Sequence, residues 1–324
     1  MTAVTEARGP GEWLGEQLRD GGGAGWRVRL EEEQREELLT AVRAAESAGL
    51  TPSDVARTGL PRPGSPGGAG SPPRAFLPDA GARVRGLLLD GPGFALLQGV
   101  PVDGMSDRQR ELAALGLARL VGGLVPQGPG AEPLMHVRDT GADPSGPRTR
   151  SYEHRGPLGY HSDPTDAVAL LCLRPARSGG ISTIVGSVAL HNELVRTRPD
   201  LAGLLYEPWW HDLRRGDGPD SFAAKPLCVR RPGGGISFAY GPDYLRSALR
   251  GAHVPPFTPA QEEVMALLDR LAADPRFALA MDLREGDMQF LDNRVVLHGR
   301  TAYADHPEPR LRRHLMRLWL TLDA

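Results

Sequence analysis

The pattern of hydrophobic and polar positions predicts short strands interrupted by a few helices. Apolar runs and period-two alternation predict strands over 93–100, 134–137, 167–173, 182–186, 227–230 and 236–240. Apolar residues at helical spacing predict helices over 30–48, 82–89, 106–120, 187–198 and 258–273. This distribution indicates a mixed chain with an antiparallel core, that is, the α+β class.

The last apolar stretch, 311–320, alternates as a strand does when both of its faces are covered. One face carries two arginines among apolar residues: Leu311, Arg313, Leu315, Arg317 and Trp319. The other face is also largely apolar, so both arginines are predicted to point into an enclosed space. Because arginine is rarely buried without an anionic partner, this face predicts two bound anions in a line.

Two distant segments carry residues of the kinds that bind metals. The β-branched run 295–297 leads into His298, where a side chain at the end of a strand can point into a cavity. In the extended motif GYHSD, His161 and Asp163 project to the same side of the backbone. Two histidines and one carboxylate form the facial triad that leaves half of an Fe(II) coordination sphere open. The same three groups can also hold zinc and activate water.

Three motifs resemble the Fe(II)- and 2-oxoglutarate-dependent oxygenases of the taurine dioxygenase and clavaminate synthase type. They are GYHSD, the SGGIST turn over 178–183, and DNRVVLHGR followed by RRHLMR. The resemblance covers roughly 93–322. It implies a double-stranded β-helix, or jelly roll, with flanking helices, and the cofactors Fe(II), 2-oxoglutarate and O2.

The resemblance also implies roles for individual residues. The two histidines and the aspartate named above would bind the iron. Arg313 would hold the distal carboxylate of 2-oxoglutarate, helped by Ser182, or by Thr183 if the turn is shifted by one residue. Arg317 matches a position that in several relatives holds the acidic group of the substrate. Because the halogenating branch of the family lacks the carboxylate ligand, the presence of Asp163 disfavours halogenation.

The implied substrate is small and carries a carboxylate, as an amino acid or a natural-product intermediate does. Hydroxylation with release of succinate and CO2 is the expected reaction, and desaturation or cyclisation are its alternatives. Further substrate contacts are predicted at Tyr152, Thr165, Asp166 and Trp210. If a protein carboxylate satisfies Arg317 instead, the candidates are Asp166 and Asp292. The tryptophans 209–210 fit a hydrophobic core as well as a pocket wall.

Two other classes of function stay open, a zinc-type hydrolase and a non-catalytic jelly roll that binds a small acid. Arg313 argues against the hydrolase, because a hydrolytic site needs no buried guanidinium fifteen residues after His298. The intact set of ligands argues against the non-catalytic protein, because loss of one ligand is the simplest mark of a dead site.

Composition and charge limit the classes of partner that we expect and say little about the fold. The formal net charge is −2, and no basic tract indicates a nucleic acid partner. No apolar run reaches membrane-spanning length, and the start MTAVTEARGPGEW has no features of a signal peptide. We therefore expect a cytoplasmic protein with a small-molecule substrate. The sequence does not indicate the oligomeric state. Cys172 and Cys228 lie in apolar runs and are predicted to be buried, reduced thiols.

The domain organisation is predicted from two polar, glycine-rich stretches. The stretch PRPGSPGGAGSPP over 61–73 cannot pack a core and is either a disordered spacer or a mobile flap near the site. As a spacer, it divides the chain into a helical segment with a linker, 1–75, and an oxygenase domain, 76–324. Residues 1–25 are polar and glycine-rich and are predicted to be frayed. The long polar stretch 138–155 beside GYHSD is predicted to form a lid.

Overall fold

A computed structural model describes residues 4–20, 25–61, 77–128, 130–142, 153–214 and 218–322 of the chain. Its α-helices are α1 (Gly15–Asp20), α2 (Glu32–Ser47), α3 (Pro52–Thr58), α4 (Leu77–Leu89), α5 (Asp107–Arg119), α6 (Ser187–Thr197), α7 (Pro199–Ala202), α8 (Pro242–Ala248) and α9 (Pro259–Ala273).

The strands are short, and most of them lie in the C-terminal two thirds of the chain. They are β1 (Arg27–Arg29), β2 (Phe94–Gln98), β3 (Gly123–Val125), β4 (Met135–Val137), β5 (Leu158–His161), β6 (Ala167–Arg174), β7 (Ser178–Gly179), β8 (Ser182–Gly186), β9 (Pro208–Asp212), β10 (Phe222–Pro226), β11 (Cys228–Arg230), β12 (Ile236–Phe238), β13 (Leu279–Met281), β14 (Met288–Asp292), β15 (Val296–Arg300), β16 (Tyr303–Ala304) and β17 (His314–Thr321).

Two β-sheets organise these strands. The larger has seven strands in the order β1-β2-β14-β6-β17-β3, with β4 also paired to β17. The smaller has four strands in the order β13-β8-β15-β5. β1 runs parallel to β2, whereas β14, β6 and β17 pair antiparallel with their neighbours. Mixed and antiparallel sheets with flanking helices agree with the predicted α+β class.

The larger sheet is covered on both faces, as the sequence pattern predicts for its central strands. Along β6, Val168 and Cys172 join one hydrophobic cluster, while Ala169 and Leu171 join another. Successive residues of a strand point to opposite faces, so the two clusters lie on opposite sides of the sheet. The cluster that contains Ala169 and Leu171 also takes in the buried faces of α2, α4 and α5.

The start of the chain is more ordered than its composition predicts. α1 lies within the stretch expected to be frayed, and Ala7 is fully buried. The backbone N–H of Ala7 donates a 2.8 Å hydrogen bond to Oδ1 of Asn192. Gly11 has φ +81°, and a Cβ there would lie 2.3 Å from the carbonyl oxygen of Val295. The glycines of this segment therefore permit close packing, and the prediction of fraying over 1–25 is wrong for its described part.

Two predictions about segments lie largely outside the described residues. The division at residue 75 and most of the glycine- and proline-rich stretch fall within 62–76, so the domain boundary stays a prediction. Most of the polar stretch proposed as a lid falls within 143–152. Both cysteines are buried and unpaired, as predicted. Among the described residues, no helix is long and apolar enough to cross a membrane.

Candidate active site

The two histidines of the predicted triad meet on neighbouring strands of the smaller sheet. β15 pairs antiparallel with β5, and His298 stands opposite His161 in this pairing. Their ring centroids are 4.3 Å apart. One ligand atom from each of His161, Asp163 and His298 lies within 4.8 Å of the other two. The structure therefore brings the three predicted ligands together at one point.

Asp163 is placed by the asparagine of the DNRVVLHGR motif. The backbone N–H of Asp163 donates a 3.1 Å hydrogen bond to Oδ1 of Asn293. Nδ2 of Asn293 donates in turn to the carbonyl oxygen of Thr165 at 3.1 Å. Asn293 is buried and ties the segment after β5 to the turn before β15. No local pattern in the sequence identifies this contact of Asn293 with the carboxylate segment.

The electrostatics of the triad suit a bound divalent cation. Burial would raise the pKa of Asp163, but Arg317, the two histidines and the indole of Trp319 outweigh it, and the pKa is lowered. Burial lowers the pKa of His298 to about 3, and the neighbouring His161 acts in the same direction. At neutral pH the site thus offers an ionised carboxylate and a neutral imidazole of His298, the forms that bind metals. This donor set fits the facial triad of an Fe(II) site.

Trp319 orients the carboxylate of the triad, since its Nε1 donates a 2.9 Å hydrogen bond to Oδ2 of Asp163. Trp319→Phe keeps most of the ring but removes this donor. We expect Mn(II) affinity to fall about tenfold, because partners of metal ligands typically contribute 10–100-fold. Titration of Mn(II) by electron paramagnetic resonance measures the change, and Trp210→Phe is the matched control. An equal loss in both variants would contradict this orienting role.

An inner cavity runs from the histidines of the triad to two buried arginines. Its wall comprises Val137, Leu158, His161, Leu170, Ser182, Leu283, His298, Gly299, Arg300, Arg313, Leu315 and Arg317. Arg313, Leu315 and Arg317 share this wall, so the predicted phase of the last strand is confirmed for them. Leu311 is different, because it lies in a 3-10 turn and is 41% exposed.

Arg313 is a buried residue in the wall of the inner cavity. It is 6% exposed, and its Nη1 has no hydrogen-bond partner among the described residues. Its guanidinium lies 5.1 Å from the ring centroid of Tyr303, and that of Arg300 lies 4.7 Å from the same ring. Burial lowers the pKa of Arg300 to about 10 and also lowers that of Arg313. Two buried cations with unsatisfied nitrogens fit a bound carboxylate.

The SGGIST turn shapes the cavity around Arg313. Ser182 lies in the wall, and its hydroxyl donates a 3.0 Å hydrogen bond to Oε1 of Gln289. Thr183, the alternative to Ser182, does not line this cavity and lies beside Tyr160. Gly180 has φ +69°, and a Cβ there would lie 3.1 Å from Nε of Arg313. Glycine therefore gives the guanidinium room that a larger residue would take.

Arg317 is already satisfied within the protein. Its Nη1 lies 3.6 Å from Oδ1 of Asp163, and its Nε donates a 3.0 Å hydrogen bond to Oε1 of Gln127. The predicted protein partners, Asp166 and Asp292, are both engaged elsewhere. Oδ2 of Asp166 accepts a 2.9 Å hydrogen bond from the backbone N–H of Leu322. Asp292 forms a 2.6 Å ion pair with Arg294 in the turn before β15. The expectation of one of these partners for Arg317 is wrong, because the metal-ligand carboxylate takes that place.

Most of the other predicted substrate contacts do not line the cavities beside the triad. Thr165 donates a 2.8 Å hydrogen bond to the carbonyl oxygen of Leu320, and Asp166 lines a separate surface cavity. Trp210 packs with its ring centroid 5.2 Å from that of His253. Trp209 is a core residue, whereas Tyr152 lies outside the described residues. The structure thus does not bring Thr165, Asp166 or Trp210 to the cavities beside the triad.

An outer cavity also borders the metal ligands, and sequence reasoning missed most of its wall. It is lined by Gly128, Met135, Leu158, Gly159, His161, Asp163, Arg214, Gly241, Pro242, Asp243, Tyr244, Arg317 and Trp319. Several of these residues come from loops and from the first turn of α8, where no periodic pattern marks them. Arg214 is the second residue after β9, and neither its neighbours nor its spacing identify it as a site residue.

Comparisons with known proteins agree with this geometry. FR-33289 synthase of Streptomyces rubellomurinus is 29% identical over 321 residues, which cover 96% of this chain and 89% of that protein. The structure of asparagine oxygenase with Fe(II), 2S,3S-3-hydroxyasparagine and succinate has a TM-score of 0.68 at 17% identity, covering 92% of this chain and 94% of that one. The non-heme iron oxygenase OrfP, in complex with Fe and alpha-ketoglutaric acid, has a TM-score of 0.65 at 16% identity, with the same coverages.

The strongest assignment comes from the sequence model of a family. The family model described as "Taurine catabolism dioxygenase TauD, TfdA family" matches residues 57–319. This range contains all three triad residues and both sheets, apart from β1 and the end of β17. The chain therefore belongs to the TauD/TfdA family of dioxygenases.

Proposed function

We propose that this protein is an Fe(II)- and 2-oxoglutarate-dependent oxygenase that hydroxylates a small, carboxylate-bearing substrate. The observation that carries the proposal is the inner cavity, whose wall contains Arg313 together with the two histidines of the triad. Arg313 is buried with an unsatisfied nitrogen, so this end of the cavity suits a carboxylate. A ligand that binds a metal at one end and presents a carboxylate at the other has the form of 2-oxoglutarate.

Each part of the site has a role under this proposal. His161, Asp163 and His298 would hold the iron, and Arg313 with Ser182 would hold the distal carboxylate of 2-oxoglutarate. When bound, the metal and cosubstrate supply an oxidation by O2 that also yields succinate and CO2. The protein binds and orients both molecules. The apolar side chains in the cavity wall limit the access of water to the reacting centre.

The relatives support a substrate class and a fold. Asparagine oxygenase is known with a hydroxylated asparagine, and OrfP with a hydroxylated arginine, so an amino acid is the substrate class that we favour. Similarity to FR-33289 synthase supports a biosynthetic role, with a natural-product intermediate as the alternative substrate. We propose that the two main sheets form a jelly roll, and that the protein works in the cytoplasm without a nucleic acid or membrane partner.

A zinc-type hydrolase explains less of the structure. It would use the same three ligands, but activation of a metal-bound water needs no buried cation in the wall of the inner cavity. A non-catalytic acid-binding protein would use Arg313 but would not need the triad. The oxygenase uses both features, and the inner cavity joins them.

Oxygen-dependent formation of succinate tests the proposed function. The protein is loaded with Fe(II) and 2-oxoglutarate without oxygen, and air is then admitted in the presence of each of the common amino acids. We expect succinate to form slowly without substrate and faster with an accepted amino acid. Zinc-loaded protein is the control and should form none. Absence of oxygen-dependent succinate from iron-loaded protein under all these conditions would refute the proposal.

A further inference from the structure

Two arginines face the outer cavity, but their charges are compensated differently. Arg317 lies 3.6 Å from the carboxylate of Asp163 and is 15% exposed in its side chain. Its positive charge is therefore largely balanced by a metal ligand, which must stay ionised for the metal to bind. An anionic substrate group gains less from a cation that already has a carboxylate partner.

Arg214 differs from Arg317 in its surroundings. Among the described residues no ion pair involves Arg214, and its guanidinium lies 4.7 Å from the ring centroid of Tyr244. Asp243 also lines the outer cavity and has an interaction partner in the structure. The nearer acid along the chain, Asp212, is paired with Arg250 at 2.9 Å. A cation on an aromatic face keeps its charge and its donors for a further partner.

The backbone of Arg214 is held in a conformation that residues other than glycine rarely adopt. Its φ is +52°, in the left-handed region. Its backbone N–H donates a 2.7 Å hydrogen bond to Oδ1 of Asp212, which fixes the turn after β9. Strain of this kind persists where surrounding structure enforces it, and it concentrates at binding and catalytic sites. Here it holds Arg214 on Tyr244, in the wall that also contains Asp163 and Arg317.

We infer that Arg214 binds an anionic group of the substrate and thereby selects the charge of the molecules that enter the outer cavity. The inference rests on the proposed function and adds the residue that recognises the substrate. The group can be a carboxylate, a sulfonate or a phosphonate, since all three accept hydrogen bonds from a guanidinium fork. The ring of Tyr244 positions the guanidinium of Arg214, and Arg317 remains the partner of the carboxylate of Asp163.

The test uses protein loaded with Mn(II) and saturating 2-oxoglutarate, with methanesulfonate as the probe. Mn(II) broadens the methyl proton signal of a probe that binds near the triad, so a titration reports affinity without turnover. Arg214→Gln and Arg214→Gly should each weaken probe binding at least tenfold. Arg214→Gly should also keep or raise the melting temperature, because glycine relieves the strained backbone, whereas a purely structural arginine would give the opposite result.

Lys225→Gln provides the matched control. Lys225, the one lysine of the sequence, lines an adjoining cavity that shares Asp163 and Tyr244 with the outer one, and its removal also deletes one positive charge. We expect less than a twofold effect from this variant. An effect as large as that of Arg214→Gln would mean that the probe responds to the total positive charge near the cavity rather than to a contact with Arg214, and would overturn the inference.

The remaining outcomes separate the inference from the function on which it rests. Probe binding that survives Arg214→Gln overturns the inference, and so does a wild-type protein that binds Mn(II) and 2-oxoglutarate but not the probe. In both cases the proposed oxygenase function stands. A protein that fails to bind Mn(II) with 2-oxoglutarate contradicts the proposed function, and the inference falls with it.

Discussion

His161→Ala is expected to abolish iron binding and to lower oxygen-dependent succinate formation by about a thousandfold or more. Nδ1 of His161 donates a 2.9 Å hydrogen bond to the carbonyl oxygen of Gly159, which leaves Nε2 as the nitrogen free for a metal. Partners of metal ligands contribute 10–100-fold, so loss of a direct ligand should exceed that range. His161 is only partly buried, and the variant should fold.

Metal binding and folding are measured separately for this variant. Anaerobic titration with Fe(II) reports the site, and circular dichroism with thermal unfolding reports the fold. His253→Ala is the matched control, because His253 is exposed and packs against Trp210, away from the triad. Full activity in His161→Ala, with unchanged iron affinity, would show that the cluster of His161, Asp163 and His298 is not the metal site.

The parts of the fold that were predicted correctly are those that local patterns encode. α5 and α9 begin after Ser106 and Thr258, each with the capping box that the sequence contains. Strands buried on both faces appear as apolar runs, and β6 and β8 lie within one residue of the predicted bounds. A capping residue acts within one turn, and an apolar run acts along one strand, so no distant contact is needed to recognise them.

The errors about the residues around the site have one physical cause, which is that residues close in sequence need not line the same cavity. Thr165 and Asp166 follow Asp163 by two and three residues, but the chain turns there into β6, and both bond the end of β17 and the residue after it. Arg317 finds its carboxylate on another segment, after β5. The wall residue Arg214 owes its position to the hairpin of β9 and β10, whose strands carry no clear alternation. Such contacts depend on the tertiary fold.

Arg313→Lys is expected to raise the 2-oxoglutarate concentration needed for half-saturation by about a hundredfold. A planar guanidinium can hold a carboxylate through two parallel hydrogen bonds, whereas an ammonium acts as a point charge. Hydrogen bonds to charged groups contribute about 1.5–3 kcal/mol each, and the loss of one of them accounts for the expected factor. Because Arg313 is buried, solvent cannot replace the lost donor.

The measurement is a titration of Mn(II)-loaded protein with 2-oxoglutarate, which needs no knowledge of the substrate. Arg312→Lys is the matched control, because Arg312 points the other way and donates to the carbonyl oxygens of His306 and Pro307 at 3.4 and 3.3 Å. We expect less than a twofold change there. If Arg312→Lys impairs 2-oxoglutarate binding and Arg313→Lys does not, the side-chain phase of the last strand is wrong, and every residue of that strand assigned to the inner cavity moves to the opposite face.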